Sequence, residues 1–161
     1  VAHEYRLTVS WSDDPGTVDY RSYTRNHTVT AAGKPTLDGS ADRAFRGDAS
    51  RWNPEDLLVA ALSECHLLSF LHVAAEAGVV VTAYTDRAVG RMTRDDDGGW
   101  SFEQVVLHPE VTTTGPPADL DTLHHAAHEA CFIARSVAFP VTIEAGPPGG
   151  AQYPEDPPAS P

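Results

Sequence analysis

The stretch from Asn53 to Ala77 constrains this chain more than any other, because it reads as one long helix that is apolar nearly all the way round. Asn53 can serve as N-cap, Pro54 suits the first helical position, and Glu55 and Asp56 complement the positive end of the helix dipole. Gly78 supplies the C-terminal stop. At 1.5 Å per residue such a helix runs roughly 36 Å, long enough to cross a small domain. Leu57, Leu58, Val59, Leu62, Leu67, Leu68, Phe70, Leu71 and Val73 surround it, so it is expected to be a buried central helix. The chain has 161 residues, the size of one domain, and can bury a core without disulfide or metal staples.

The segments on either side are strand-like. Tyr5, Leu7, Val9 and Trp11 alternate with Arg6, Thr8 and Ser10, the period-2 pattern of a half-buried strand. Asp13-Asp14-Pro15-Gly16 is turn chemistry, a second β-prone run covers Val18 to Ala31, and a Gly-, Ser-, Asp- and Arg-rich loop is expected from Asp38 to Trp52. Beyond the long helix, Val79 to Arg94 and Trp100 to Thr114 read as two strands of a hairpin whose loop is Asp95-Asp96-Asp97-Gly98-Gly99. Leu120, Leu123, Ala127, Ala130 and Ala134 then follow helical spacing from Asp119, with Cys131 on or beside the stripe, and Phe139 to Glu144 is a last strand. The pattern predicts an α+β fold, with mainly antiparallel sheets packed on two helices. One domain is expected over 1–145, followed by a Pro- and Gly-rich tail over 146–161.

Acidic residues outnumber basic ones 23 to 11, for a formal charge of −12. Phosphate binding needs Lys and Arg to displace counterions, so a nucleic-acid partner is not expected. No run approaches ~18 uninterrupted apolar residues, so no membrane partner is expected, and the first residues show no secretory signal. A cytoplasmic protein, with its thiols reduced, is the expectation.

Two cysteines exclude a disulfide framework, and each is placed in one of the two helices. A lone helical cysteine is ordinarily a small buried hydrophobe. Here Glu55 precedes Cys65 by ten positions, about 2.8 turns, which puts both near one face. Arg43, Arg46 and Arg51 lie in the preceding loop. A thiol beside a guanidinium held by a carboxylate gains thiolate character, and a second reachable cysteine permits reversible two-electron redox chemistry.

The run Asn53-Pro54-Glu55-Asp56-Leu57-Leu58-Val59-Ala60-Ala61-Leu62-Ser63-Glu64-Cys65-His66 closely resembles the central-helix motif of the OsmC/Ohr family, the osmotically inducible and organic hydroperoxide resistance proteins. Ala130-Cys131-Phe132-Ile133-Ala134-Arg135-Ser136-Val137 is similar to the family's second cysteine motif, and the order of elements agrees over roughly 3–145. The resemblance implies an OsmC-like fold in an intertwined homodimer with two interface active sites. It also implies a thiol peroxidase that reduces organic hydroperoxides to alcohols, served by an external dithiol reductant, with no cofactor and no metal. By motif position Cys65 resembles the peroxidatic cysteine, Cys131 the resolving one, and Glu55 the glutamate that orients a catalytic arginine. Arg46 and Arg43 are both candidates for that arginine, with Arg46 preferred. The sequence departs from the common pattern at His66 after the first cysteine and at Phe132 after the second.

Two other readings compete with this one. The same fold could bind a small molecule without catalysis, its cysteines merely buried. His124, His128 and Cys131 also fall at i, i+4 and i+7 of one helix, a spacing that suits two or three ligands of a zinc site, with Cys65 and His66 as possible additions. The alternative for those histidines is a hydrated helix surface, and His66 and His72 are expected at an interface or rim. No Gly-rich phosphate loop or nucleophile elbow is present.

Overall fold

In the computed structural model residues 2–146 are described, and they form two compact units, 2–58 and 59–146. The expected tail, beyond Gly146, lies outside the described residues. The long helix, α1 (Pro54–Glu76), begins in the first unit and continues into the second.

The first unit holds a three-stranded antiparallel sheet of β1 (Thr8–Ser10), β2 (His27–Thr30) and β3 (Leu37–Gly39) in that order. The expected half-buried first strand is shorter than its alternating pattern, and all three of its residues are exposed, because β1 is an edge with a single neighbour. The β-prone run after it is strand only at its end. Within Val18 to Arg25 the chain turns instead, and Arg25 stacks on Tyr20 and Tyr23, 4.7 and 3.8 Å from the ring centroids. The Gly-rich loop is more ordered than expected: it starts within β3, and a 3-10 turn covers Arg43–Phe45. Asp42 caps that turn by accepting from the Ala44 N–H at 2.6 Å.

The ends of α1 follow the sequence. Asn53 Oδ1 accepts the Asp56 N–H at 2.7 Å, and Asp56 Oδ2 accepts the Asn53 N–H at 3.5 Å, a reciprocal cap. At the other end Gly78 takes φ +71°, Val79 N–H donates to Ala74 O at 2.9 Å, and Gly78 N–H donates to Ala75 O at 3.1 Å. That pair is a Schellman closure, and the left-handed residue it requires is why glycine ends the helix. Along its length, however, α1 is not buried all round. Leu62, His66, Phe70 and Ala74 form one buried stripe at i+4 spacing, while Leu68 stays 66% exposed. A helix presents one such stripe to a single packed layer; Val73 is only partly buried against the core, and Val59 lies beside Gly90 of the following ribbon. By length and composition α1 would suffice to cross a membrane, with a mean hydropathy of 1.7 over its best window, a property the count of uninterrupted apolar residues did not show. Its buried stripe is nevertheless packed on protein and carries a hydrogen-bonded histidine.

The second unit is built on one long ribbon, bent in the middle. Val79–Arg94 splits into β4 (Val80–Asp86) and β5 (Val89–Arg94), and the return run into β6 (Trp100–Leu107) and β7 (Pro109–Thr114). β4 pairs antiparallel with β7 and β5 with β6, so both arms break at the same level. Asp86 fixes the break: its Oδ1 accepts the His108 N–H at 2.7 Å and its Oδ2 accepts the Ser63 hydroxyl at 2.5 Å. Pro109 then has no N–H to continue the ladder. The last strand, β8 (Val141–Ile143), joins β6 in parallel. The second helix, α2 (Leu120–Ala130), starts at Asp119, whose Oδ1 accepts the Thr122 N–H at 3.1 Å. Phe70 and Ala74 of α1, Val111 of β7, and Leu123 and Ala127 of α2 make the core.

Gly47 has no room for a side chain, since a Cβ there would lie 1.5 Å from Ala41 O. Gly47→Ala is therefore expected to destabilise the chain by about 2 kcal/mol, the scale of overpacking, read as a lower urea midpoint. An unchanged midpoint would show that this loop gives way freely.

Candidate active site

Cys65 lies on α1, half-buried, directly before His66 of the buried stripe. Cys131 is not inside α2 as expected but is its C-cap, in an extended conformation with φ −74° and ψ 108°. Its N–H donates to His128 O at 3.1 Å, which closes the helix. The chain then turns into a 3-10 segment, Ala134–Ser136, whose Ala134 N–H approaches Cys131 Sγ at 3.5 Å. This hook places the Cys131 side chain inward, 1% exposed, while Phe132 points outward and is 77% exposed.

The two thiols are neighbours: both are free, and Cys65 lies close enough to bear on the charge of Cys131. Burial, reinforced by Cys65, pushes the Cys131 thiol up to about 11. Cys131 thus keeps its proton near neutral pH, and Cys65 is the more accessible of the pair. A cleft of about 340 Å³ opens over the hook, lined by His128, Glu129, Ala134 and Arg135.

The other two expected site residues belong to the first unit. Glu55 is half-buried in the first turn of α1, with Oε2 buried and without a hydrogen-bond partner. Arg46 is exposed and sits at φ 67°, closing the Arg43–Phe45 turn through its N–H to Arg43 O at 3.0 Å. The left-handed conformation costs a non-glycine residue about 1 kcal/mol and is held here by the Asp42 cap. No ion pair joins Arg46 to Glu55 among the described residues. Of the other loop arginines, Arg51 is engaged by Asp38 at 3.3 Å and Asp48 at 3.6 Å.

The histidines differ most from expectation. His66 is 1% exposed and His124 4%, so neither is a rim or surface residue. His66 Nε2 and His124 Nδ1 are hydrogen-bonded at 3.1 Å, with rings stacked at 5.3 Å. His124 also stacks on Phe70 at 4.3 Å. Nδ1 of His66 and Nδ1 of His128 are buried without partners. Burial, with His124 and His128 adding like charge, lowers His66 to about 4, and burial lowers His124 against the opposing pull of Asp121. Among the described residues no three His, Cys, Asp or Glu side chains converge as a metal site. The sequence signal for the buried pair was present: His66 falls at the i+4 step between Leu62 and Phe70.

A histidine buried neutral lowers stability in acid. The unfolded chain takes up its proton below about pH 6.5, whereas folded His66 resists until about 4, so this contribution is complete above 6.5 and lost on the way down to 4. Its full size is about 3 kcal/mol. Urea midpoints measured at pH 7, 5.5 and 4.5 are expected to fall, and His66→Gln is expected to flatten that fall. Equal slopes in the two proteins would remove His66 from the acid response.

Set beside known proteins, the chain matches the family model described as OsmC-like protein over residues 47–146. A search of curated proteins gave no match. Among solved structures it is similar to an OsmC-like protein of unknown function from Vibrio cholerae, at 36% identity and a TM-score of 0.82, covering 89% of this chain and 99% of that one. The organic hydroperoxide resistance protein OsmC of Legionella pneumophila aligns at 21% identity, with a TM-score of 0.66 and 89% and 97% of the two chains covered. OhrB of Bacillus subtilis, an organic hydroperoxide resistance protein, aligns at 21% identity with a TM-score of 0.62 over 88% and 96%. The last two show likeness of fold. The family match and the Vibrio relative together establish that this chain belongs to the OsmC-like protein family.

Proposed function

We propose that the chain is a thiol-dependent peroxidase acting on organic hydroperoxides. The observation that carries this reading is the contact between Cys65 and Cys131, one half-buried and the other sealed in the core. The names of the Legionella and Bacillus relatives agree with it. The Cys65 thiolate attacks one peroxide oxygen, the O–O bond breaks, and the alkoxide leaves as alcohol after taking a proton, which leaves Cys65 as a sulfenic acid. Cys131 then attacks that sulfur. The S–O bond breaks, a disulfide forms, and the hydroxide leaves with the Cys131 proton as water. An external dithiol returns both thiols and is itself oxidised.

The difference between the two sulfurs suits this order. Cys131, pushed up to about 11, is a poor first nucleophile but holds its proton until the leaving hydroxide needs it. Arg46 is assigned to stabilise the thiolate and the charge developing on the peroxide oxygens, and Glu55 to orient the guanidinium. The cytoplasm, where thiols stay reduced, is the matching compartment. Two copies are proposed to assemble: Tyr5 is 91% exposed, Leu68 66% and Phe132 77%, more large apolar surface than a lone chain ordinarily leaves in water.

With cumene hydroperoxide and dithiothreitol, the wild-type protein is expected to turn over. Cys65→Ser should lower kcat/KM by roughly a hundredfold or more, the scale of losing a nucleophile. Cys131→Ser should still consume one equivalent of peroxide but form no intramolecular disulfide. A Cys65→Ser protein as active as wild type would overturn the mechanism and favour the non-catalytic binding reading. Light scattering at micromolar concentration is expected to give twice the 17.3 kDa chain mass, and a single-chain mass would refute the assembly.

A further inference from the structure

The thiol chemistry proposed above needs Cys131 held against Cys65, and the packing beside those sulfurs shows how this is done. Cys65 and His66 are consecutive on α1, whereas their partners are His124, within α2, and Cys131, the C-cap seven residues on. Two contacts, adjacent on one helix and separated on the other, fix both the seat and the crossing direction of α2. Beside them, Phe70 stacks on His124, and Phe70 and Ala74 share an apolar cluster with Leu123 and Ala127, whose burial is not directional. The His66–His124 hydrogen bond is directional and sealed from water.

We propose that His66 and His124 are positioning residues for the thiol pair: their hydrogen bond locks α2 onto α1 and thereby sets Cys131 within reach of Cys65. The inference rests on the thiol reading, since the seat of Cys131 matters only if the two sulfurs join. The proton in the bridge can be assigned. Nδ1 of His66 is buried without a partner, and an orphaned buried N–H is rarer than an orphaned acceptor. His66 therefore carries its hydrogen on Nε2 and donates to His124 Nδ1.

The lock holds while both rings are neutral, because a proton on His124 Nδ1 leaves two donors facing each other. The groups acting on the pair are His128 and Asp121 from α2, with Tyr84 of β4 behind Phe70. Only Asp121 favours a charged imidazole, and burial outweighs it.

The test equilibrates the full-length protein with reduced and oxidised glutathione and measures the effective concentration of Cys131 toward Cys65, with no peroxide present. His124→Leu keeps apolar bulk but removes the acceptor, and is expected to lower that effective concentration about tenfold or more, the sensitivity of intramolecular reactions to small displacements. The double variant His66→Gln, His124→Asn replaces the bridge with an amide pair that does not titrate, and is expected to stay within about threefold of wild type. Wild type should lose effective concentration between pH 6 and 4, and the double variant should not.

Three outcomes would overturn the proposal: a folded His124→Leu protein with the wild-type value, a double variant as impaired as His124→Leu, or identical pH profiles for wild type and the double variant. Should His124→Leu fail to fold, the pH comparison decides alone. A protein that behaves as expected in glutathione yet consumes no hydroperoxide would refute the peroxidase reading and leave the positioning role standing.

Discussion

The second unit depends on one buried stripe of α1. Leu62, His66, Phe70 and Ala74 are the helix positions that leave water, and each meets a different requirement. Phe70 supplies bulk and a ring face at 4.3 Å for His124, Ala74 lets the core close tightly, and His66 supplies the polar tie to α2. Burying an imidazole is unfavourable unless it is bonded, so the stripe is stable only with α2 in one placement. Apolar area drives the packing, and the histidine pair selects among the packings that area alone would permit.

The sequence made the helices legible because their signals are local. Asn53, Pro54 and Gly78 mark the ends of α1 within one residue of where the backbone places them, and Asp119 does the same for the start of α2. The bend of the ribbon was not legible. It depends on Asp86 reaching the His108 N–H, a contact across 22 residues that no local pattern records. The parallel pairing of β8 with β6 was hidden for the same reason. Ala127, Ala130 and Ala134 continue the helical spacing past Cys131, yet the backbone leaves the helix at Cys131 and Ala134 belongs to the following turn. The buried histidines are hard to read from sequence because hydropathy counts an imidazole as polar even where its spacing is that of a core position.

The two cysteines, alike in sequence, are made unlike by their surroundings. Cys65 sits on a helix face that keeps some contact with water, whereas Cys131 is folded inward by the hook that ends α2. The same hook puts Ala134 N–H near its sulfur and drives Phe132 outward, so the departure at 132 is accommodated at the surface and not in the core. Burial opposes the charged form of Cys131, and the neighbouring Cys65 adds to that effect. The difference between an accessible sulfur and a protonated one follows from burial, and the proposed division of labour rests on it.

A cheaper core was available, since Phe or Leu at position 66 would bury without any polar requirement. Retaining two imidazoles there costs acid stability, because each must stay neutral in a pocket where Asp121 is the one group favouring charge. What the pair provides in exchange is directional. On the proposed thiol chemistry, the two sulfurs alternate between contact and covalent bond and need their helices returned to the same crossing each time, whereas apolar side chains can slide by fractions of an ångström at little cost. A hydrogen bond sealed from water cannot slide without leaving two polar atoms unpaired. The polar pair in the core therefore acts as a constraint on geometry, placed one residue from the sulfur that the proposed chemistry uses first.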